Sequence, residues 1–167
     1  DVSVSKERVV LSTSKGEISG RKLIIATGLK AAPKLGSDGS LFEIIKMLRN
    51  MGIKTAVVTN ITPDRLDSQR AKIKALGLEE IMDAVIMSGE IGIHKPDRRI
   101  YEYAAEALGV SPSECVFVGD DPDSDIKGAV GADMDAVWID RWNSSDEIKH
   151  NPKVTTVAKM DEYFKLI

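Results

Sequence analysis

The chain has 167 residues, of which 43% are hydrophobic and 29% charged, and its net charge is −3. This composition is typical of a globular domain with its own core, and the scattered Lys and Arg residues argue against nucleic-acid binding. No apolar run reaches the roughly 18 residues of a membrane span. The single cysteine, Cys115, excludes an internal disulfide, and the N-terminus lacks the pattern of a signal peptide, so we expect a cytoplasmic protein without a membrane partner.

The N-terminal segment carries strand signals. Arg8–Leu11 and Glu17–Ile18 flank the turn sequence Ser14-Lys15-Gly16, which predicts a β-hairpin. Lys22–Ala26 is a strongly apolar strand candidate. Residues 28–39 are rich in Gly, Lys and Ser and are predicted to form a loop.

Strands and helices alternate in the rest of the chain, which we divide into an N-terminal segment, 1–39, and a core, 40–167, within one domain overall. The predicted elements are a helix at Leu41–Asn50, a strand at Lys54–Thr59, a helix at Pro63–Leu76, a strand at Ala84–Met87, a helix at Asp97–Leu108, a strand at Cys115–Val118, a helix at Asp125–Ala132 and a strand at Ala136–Ile139. This order predicts an α/β fold, a Rossmann-like parallel sheet of five strands with helices on both faces. The tail holds one weak strand, Thr155–Val157, and a short final helix.

The predicted sheet needs a central strand. Lys22–Ala26 is the segment apolar enough to fill this position, and an empty slot would leave two sheet edges open. We therefore predict that it pairs in parallel with both Lys54–Val58 and Cys115–Val118. Only the loop at 28–39 separates it from the next helix, so we predict a fold without a cap domain and with an open cleft.

Polar residues follow three of the strands at their carboxyl ends, the edge where open α/β sheets bind ligands. Thr59 and Asn60 offer a hydroxyl and an amide to phosphate oxygens, and Lys95 can neutralise phosphoryl charge. Simple alternatives exist: Thr59 could cap a helix, and Lys95 could be solvated. The fourth strand is followed by the carboxylates of Asp120, Asp121 and Asp125. These groups are suited to binding Mg²⁺. Alternatively, they could cap the next helix.

The order of these pieces resembles the haloacid dehalogenase (HAD) superfamily of phosphohydrolases over residues 41–142. Thr59 matches the second motif of that family, and Lys95, within His-Lys-Pro-Asp, matches the third. Gly119-Asp120 together with Asp125 matches the fourth.

The resemblance implies a role for each matched residue. Thr59 and Lys95 would grip the phosphoryl group of a phosphorylated substrate, or a phosphate ion, and Asp120 would ligate Mg²⁺. Asp121 would support the metal directly or through water, and Asp125 would brace the loop.

The sequence departs from the family pattern at the first motif. The family has a nucleophilic aspartate after the first strand and an acid/base aspartate two residues later. One alignment places Thr27 and Leu29 at these positions, and a second places Gly36 and Asp38 there. Neither supplies the carboxylate that would form an aspartyl-phosphate. We therefore predict weak or absent phosphatase activity and weak Mg²⁺ binding, with the candidate catalytic residues Lys95, Thr59 and Asp38.

The N-terminal segment resembles a different family. Arg8–Leu11, Gly16–Ile18 and Lys22–Gly28 look like the Ala-Thr-Gly region of flavin-dependent pyridine-nucleotide disulfide oxidoreductases. The Gly-x-Gly-x-x-Gly loop and the paired cysteines of those enzymes are missing, so no flavin is expected. We interpret the chain as a chimera, natural or engineered, with drift of an ordinary HAD first strand as the alternative.

Two functions are compatible with these patterns. The first is a HAD-type phosphohydrolase that acts only if Thr27, Asp38 or water replaces the nucleophile. The second is a non-catalytic scaffold that serves as a binding, structural or engineered module. Trp138, in the last core strand, is expected in the core, and Trp142, in a loop on the cleft side, is expected to pack rather than to cover the site.

Overall fold

The computed structural model describes residues 3–5, 8–13, 16–20, 22–26 and 40–158, with side chains from residue 45 onward. The predictions that fall outside the described residues are those for the final helix, the loop at 28–39, Thr27, Leu29, Gly36 and Asp38.

Two sheets and a series of short helices make up the described structure. The strands are β1 (Ser3–Ser5), β2 (Arg8–Thr13), β3 (Gly16–Gly20), β4 (Lys22–Ala26), β5 (Lys54–Thr59), β6 (Ala84–Met87), β7 (Cys115–Gly119), β8 (Asp135–Ile139) and β9 (Val154–Val157). The α-helices are α1 (Ser40–Asn50), α2 (Leu66–Ala75), α3 (Leu78–Ile81), α4 (Ser88–Ile91), α5 (Arg98–Ala107) and α6 (Gly128–Gly131). Single turns of other helix types lie at Pro63–Arg65, Pro112–Glu114, Pro122–Lys127 (a π-helix) and Glu147–His150.

The first three strands form an antiparallel sheet in the order β1-β2-β3. Leu11 of β2 lies opposite Ile18 of β3. On the other side of β2, Val10 lies opposite Ser3 of β1. The two segments of the predicted hairpin thus belong to a sheet that has one strand more than the sequence indicated.

The second sheet is parallel and has β4 at its centre. Its order is β6-β5-β4-β7-β8-β9. Ile25 of β4 lies opposite Val57 of β5 on one side and Val118 of β7 on the other. This register confirms the predicted pairing of the first strand with both neighbours.

The prediction of five strands is wrong, because β9 adds a sixth. Thr156 of β9 lies opposite Trp138 of β8. Only Val154 and Val157, the ends of β9, are buried, and the two threonines between them are half-buried. The sequence indicated a weak strand at Thr155–Val157 but did not place it in the sheet, because this short segment lacks the regular apolar alternation of a typical sheet strand.

Helices cover both faces of the parallel sheet, as predicted. Neighbouring residues of a strand point to opposite faces, so each strand contributes to two core layers. One layer includes Ile45, Leu48, Val57, Ile73, Leu78, Val118 and Val137. The other includes Val58, Ile100, Tyr101, Ala104, Phe117, Ala129 and Trp138. None of the described helices is long and apolar enough to span a membrane.

The buried phenol of Tyr101 packs against the start of α6. Its ring lies 5.0 Å from that of Phe117 in an edge-on arrangement, and its hydroxyl donates to the carbonyl of Ser124. A Cβ atom at Gly128 would overlap this phenol, whereas a Cβ at Gly131 would meet no atom within 4 Å. The close approach of α5 and α6 therefore requires glycine at one of these two positions and not at the other.

We expect Gly128→Ala to lower the free energy of unfolding by about 1–3 kcal/mol, because the added methyl group overpacks the contact with Tyr101. Gly131→Ala in the same helix is the matched control. It should be neutral or stabilising by up to about 1 kcal/mol, because alanine restricts the unfolded chain. Urea titrations measure both values, and equal effects of the two variants would contradict the packing argument.

Candidate active site

The carboxyl ends of β4, β5 and β7 lie side by side. Ala26, the last residue of β4, lies opposite Gly119, the last residue of β7. On the other side, Ile25 lies opposite Val57, two residues before Thr59 ends β5. Thr59 is 5% exposed. The fold thus brings Thr59 and the loop that begins with Asp120 to one edge of the sheet.

A buried ion pair joins Lys95 to Asp125 at this edge. The Lys95 Nζ lies 2.6 Å from Asp125 Oδ1, and the two side chains are 5% and 3% exposed. The ammonium also lies 5.7 Å from the ring centroid of Phe117, within the range of a cation–π contact. Burial raises the pKa of Asp125, and Lys95 opposes this shift. Because a buried charge without its partner costs about 3–5 kcal/mol, each group depends on the other.

The second oxygen of Asp125 holds the loop that follows β7. Asp125 Oδ2 accepts the backbone N–H groups of Asp120 at 3.1 Å and of Asp121 at 3.2 Å. The carboxylate reaches them by lying directly against Gly119, where any Cβ atom would overlap it. The glycine of the Gly-Asp motif is therefore required by the packing of Asp125.

Asn60 positions the backbone of Lys95. Its Oδ1 accepts the Lys95 N–H at 2.9 Å, and its Nδ2 donates to the Lys95 carbonyl at 2.9 Å. The adjacent Lys95–Pro96 peptide bond is cis. The amide that the sequence offered as a phosphate ligand thus fixes the residue that carries the positive charge.

Asp120 and Asp121 differ in how far their carboxylates are engaged. Asp121 Oδ1 accepts the N–H groups of Asp123 at 3.0 Å and of Ser124 at 2.6 Å. Partial burial works against the ionisation of Asp121, but these donors and the charge of Lys95 hold its pKa below the ordinary value. The same donation explains why the helical turn begins at Pro122, three residues before the predicted start. The Asp120 carboxylate makes no hydrogen bond with another described residue.

These carboxylates fit a small Mg²⁺ site. Mg²⁺ is commonly held by one or two carboxylates, with water and phosphate oxygens as its other ligands. Asp120 and the free oxygen of Asp121 match that set. Asp125 is placed as a brace, because Lys95 and two backbone amides engage both of its oxygens. Among the side chains that the structure describes, no group of three or more His, Cys, Asp or Glu residues is arranged to hold a metal ion.

Two buried aromatic residues, Trp138 and Tyr101, fix this loop, and the sequence analysis assigned Trp138 only to the core. The Trp138 indole N–H donates to the backbone carbonyl of Asp120 at 3.2 Å. The Tyr101 hydroxyl donates to the carbonyl of Ser124. Apolar periodicity predicts the burial of such residues, but no local pattern indicates which distant carbonyl a buried donor will reach.

Comparison with known proteins identifies the family. The family model of haloacid dehalogenase-like hydrolases matches residues 22–133, well over half of the chain. The chain belongs to the haloacid dehalogenase-like hydrolases. The matched part of the chain contains Thr59, Lys95, Asp120, Asp121 and Asp125, whereas Trp138 lies beyond it.

Several relatives of the chain are phosphatases. Phosphoserine phosphatase from Thermus thermophilus is 40% identical over 116 residues, which are 70% of this chain and 45% of that protein. Glyceraldehyde 3-phosphate phosphatase from Methanopyrus kandleri is 40% identical over 102 residues, which are 61% and 42% of the two chains. The crystal structure of a HAD phosphatase from Thermococcus onnurineus has a TM-score of 0.61 at 32% identity, over 74% of this chain and 54% of that chain. The chain thus spans a little under half the length of these two curated relatives.

We expect Lys95→Met and Asp125→Asn each to lower the free energy of unfolding by about 3–5 kcal/mol, because each removes one partner of a buried ion pair. The double variant should cost less than the sum of the two, since neither group is then left unpaired. Urea titrations of the four proteins give the coupling energy.

The exposed pair Arg98–Glu102 is the control for this cycle. Its N–O distance is also 2.6 Å, but its side chains are 63% and 42% exposed. The corresponding cycle with Arg98→Met and Glu102→Gln should give a coupling of about 0.5 kcal/mol or less. Equal coupling in the two cycles would contradict the role assigned to burial.

Proposed function

We propose that this chain is a HAD phosphohydrolase scaffold that binds a phosphoryl group together with Mg²⁺ but turns phosphate esters over weakly or not at all. The observation that carries the proposal is the buried ammonium of Lys95 at the carboxyl edge of the sheet. It is paired with Asp125, and Asn60 holds the backbone of the lysine. A fixed point charge in a site of low dielectric constant is suited to phosphate oxygens.

Each residue of the site has a separate task in this proposal. Thr59, at the end of β5, donates its hydroxyl to a phosphate oxygen, and Lys95 neutralises part of the charge. Asp120 and Asp121 would hold Mg²⁺, which supplies the further positive charge that a phosphoryl group requires. Asp125 keeps both the lysine and the loop in place.

The charges of the site make phosphate binding depend on the cation. Among the described residues of the site, one positive side chain, Lys95, stands against the three carboxylates of Asp120, Asp121 and Asp125, which leaves an excess of two negative charges. A phosphate dianion would be repelled by this arrangement. We therefore expect orthophosphate and Mg²⁺ to bind together.

Weak turnover is proposed because of the first family motif. The two alignments place Thr27 or Gly36 where the family has its nucleophilic aspartate. A threonine without an activating base is a poor nucleophile at neutral pH, and glycine has no side chain to attack with. Asp38 is proposed as an acid/base without a nucleophilic partner.

The alternative function is a non-catalytic binding or structural module. We also propose that the chain is a chimera, since residues 1–21 lie outside the family match.

We also propose that the site has no cap domain. Only residues 27–39 separate β4 from α1, which leaves no room for an inserted domain between these two elements. An open cleft would admit large phosphorylated substrates as well as small ones.

We expect calorimetric titration to detect orthophosphate binding in the millimolar range when Mg²⁺ is present and no binding in its absence. Thr59→Val should weaken this binding roughly 10-fold, because it removes one hydrogen bond to a charged ligand. Thr55→Val is the matched control, since Thr55 is equally buried on the same strand but lies at its amino end. Equal binding with and without Mg²⁺ would contradict the charge argument.

We expect the wild-type chain to hydrolyse an aryl phosphate with Mg²⁺ at or near the background rate. Thr27→Asp combined with Leu29→Asp should raise the steady-state rate if the other motifs are correctly placed, and adding Asp120→Ala should remove the gain. Robust wild-type turnover that disappears with Asp120→Ala would contradict the proposed inactivity. No gain in the double variant would exclude Thr27 as the motif position.

A further inference from the structure

Trp142 is exposed, contrary to the packing expected from the sequence. Its exposed fraction is 87%, whereas Trp138, four residues earlier, is 1% exposed. An indole is a large apolar surface, and leaving one in water forgoes the free energy that burial would provide. An exposed tryptophan next to a ligand site is therefore a candidate contact surface.

The exposure does not come from a loosely held loop. Asp140, which is 6% exposed, anchors the segment after β8. Its Oδ1 accepts the N–H groups of Trp142 at 3.3 Å and of Ser144 at 3.0 Å, and its Oδ2 lies 2.7 Å from Lys149 Nζ. Burial works against the ionisation of Asp140, but Lys149 and the donors of Ser144 outweigh it and lower its pKa to about 2. The backbone that carries the indole is thus tied to a buried, charged anchor.

This loop lies next to the proposed phosphate site. β8 pairs with β7, so that Trp138 lies opposite Gly119. The Trp138 indole donates to the carbonyl of Asp120, and Lys149 Nζ lies 5.4 Å from the Trp138 ring centroid. Hydrogen bonds and one cation–π contact therefore connect the Asp120 loop to the anchor of Trp142.

The surroundings of Trp142 suit a small planar ligand better than a protein partner. The other large apolar side chains exposed in the described part of the chain are Met47 on α1 and Tyr103 on α5. The neighbours of Trp142 in the chain, Arg141 and Asn143, are polar and exposed. A single indole between polar residues does not make the apolar patch that a stable protein interface needs.

We propose that Trp142 stacks on an aromatic leaving group of a phosphate monoester whose phosphoryl group is bound at Lys95. This inference rests on the proposed function, because the phosphate site places the ester. Trp142 lies outside the residues matched by the family model, 22–133. It would select among phosphorylated compounds by the planar group they carry, while Lys95 and Thr59 hold the part that they share.

The test uses two non-hydrolysable ligands that differ only in the planar group, phenylphosphonate and methylphosphonate, with orthophosphate as the probe of the phosphate site. With Mg²⁺ present, calorimetry should show phenylphosphonate binding roughly 3- to 10-fold more tightly than methylphosphonate, the range of a single aromatic contact. Trp142→Ala should abolish this preference and leave orthophosphate affinity unchanged. Trp142→Phe should retain part of it, and Tyr103→Ala, at an exposed aromatic residue of another element, should have no effect.

Intrinsic fluorescence gives an independent measurement. With one tryptophan exposed and the other buried, phenylphosphonate should change the emission of the wild type more than methylphosphonate does, and this difference should be lost in Trp142→Ala.

Three results would overturn the inference, and they are distinguishable. Orthophosphate binding with an unchanged phenyl preference in Trp142→Ala removes the stacking role and leaves the proposed function intact. If Trp142→Ala weakens the binding of both phosphonates equally, the substitution affects the site in general, and the stacking role is also removed. Absence of orthophosphate binding in the wild type removes the proposed function and the inference together.

Discussion

The ion pair between Lys95 and Asp125 is the contact on which the site depends. Lys95 lies on the segment after α4 and Asp125 in the helical turn after β7, and neither side chain is more than 5% exposed. A buried ion pair without further hydrogen bonds adds little stability compared with an apolar contact, because the cost of desolvation offsets the attraction between the charges. Here the carboxylate also accepts two backbone amides, and Asn60 holds the lysine backbone, so one pair fixes parts of three chain segments. The site is therefore organised before any ligand arrives, which is the condition for strong electrostatic interactions with a phosphoryl group.

The central strand shows how the fold and the chemistry have separate requirements. A parallel sheet requires at β4 an apolar segment of suitable length, and Lys22–Ala26 meets that requirement with both neighbours in register. The chemistry of the family requires a carboxylate just beyond the strand, which contributes nothing to the pairing. An apolar segment can thus complete the sheet whether or not a carboxylate follows it. The proposed phosphate contacts come from other strands, so they do not depend on which residue follows β4.

A second polar network extends the site along the sheet. Trp138 is a core residue by burial, yet its N–H is bound to the carbonyl of Asp120 and its ring faces the ammonium of Lys149. That ammonium is paired with Asp140, which holds the backbone of Trp142. Hydrogen bonds, one ion pair and one cation–π contact therefore link the Trp142 loop to the Asp120 loop. This connection depends on the adjacent positions of β7 and β8, and not on nearness in sequence.

The sequence by itself determined the α/β class, the parallel sheet with helices on both faces, the place of β4 and the residues that follow the strand ends. These features depend on local periodicity and on the rule that parallel strands end at one edge, both of which are visible in a single chain. The sequence indicated β9 as a weak strand at Thr155–Val157, and tertiary structure alone added it to the parallel sheet by pairing it with β8. It also paired Lys95 with Asp125, assigned Asn60 to positioning Lys95 and placed Trp142 at the surface. Such assignments depend on contacts between residues that are distant in the sequence. Lys95 contacts Asp125 and Asn60, which are 30 and 35 positions away, and the local sequence around each residue does not predict these contacts.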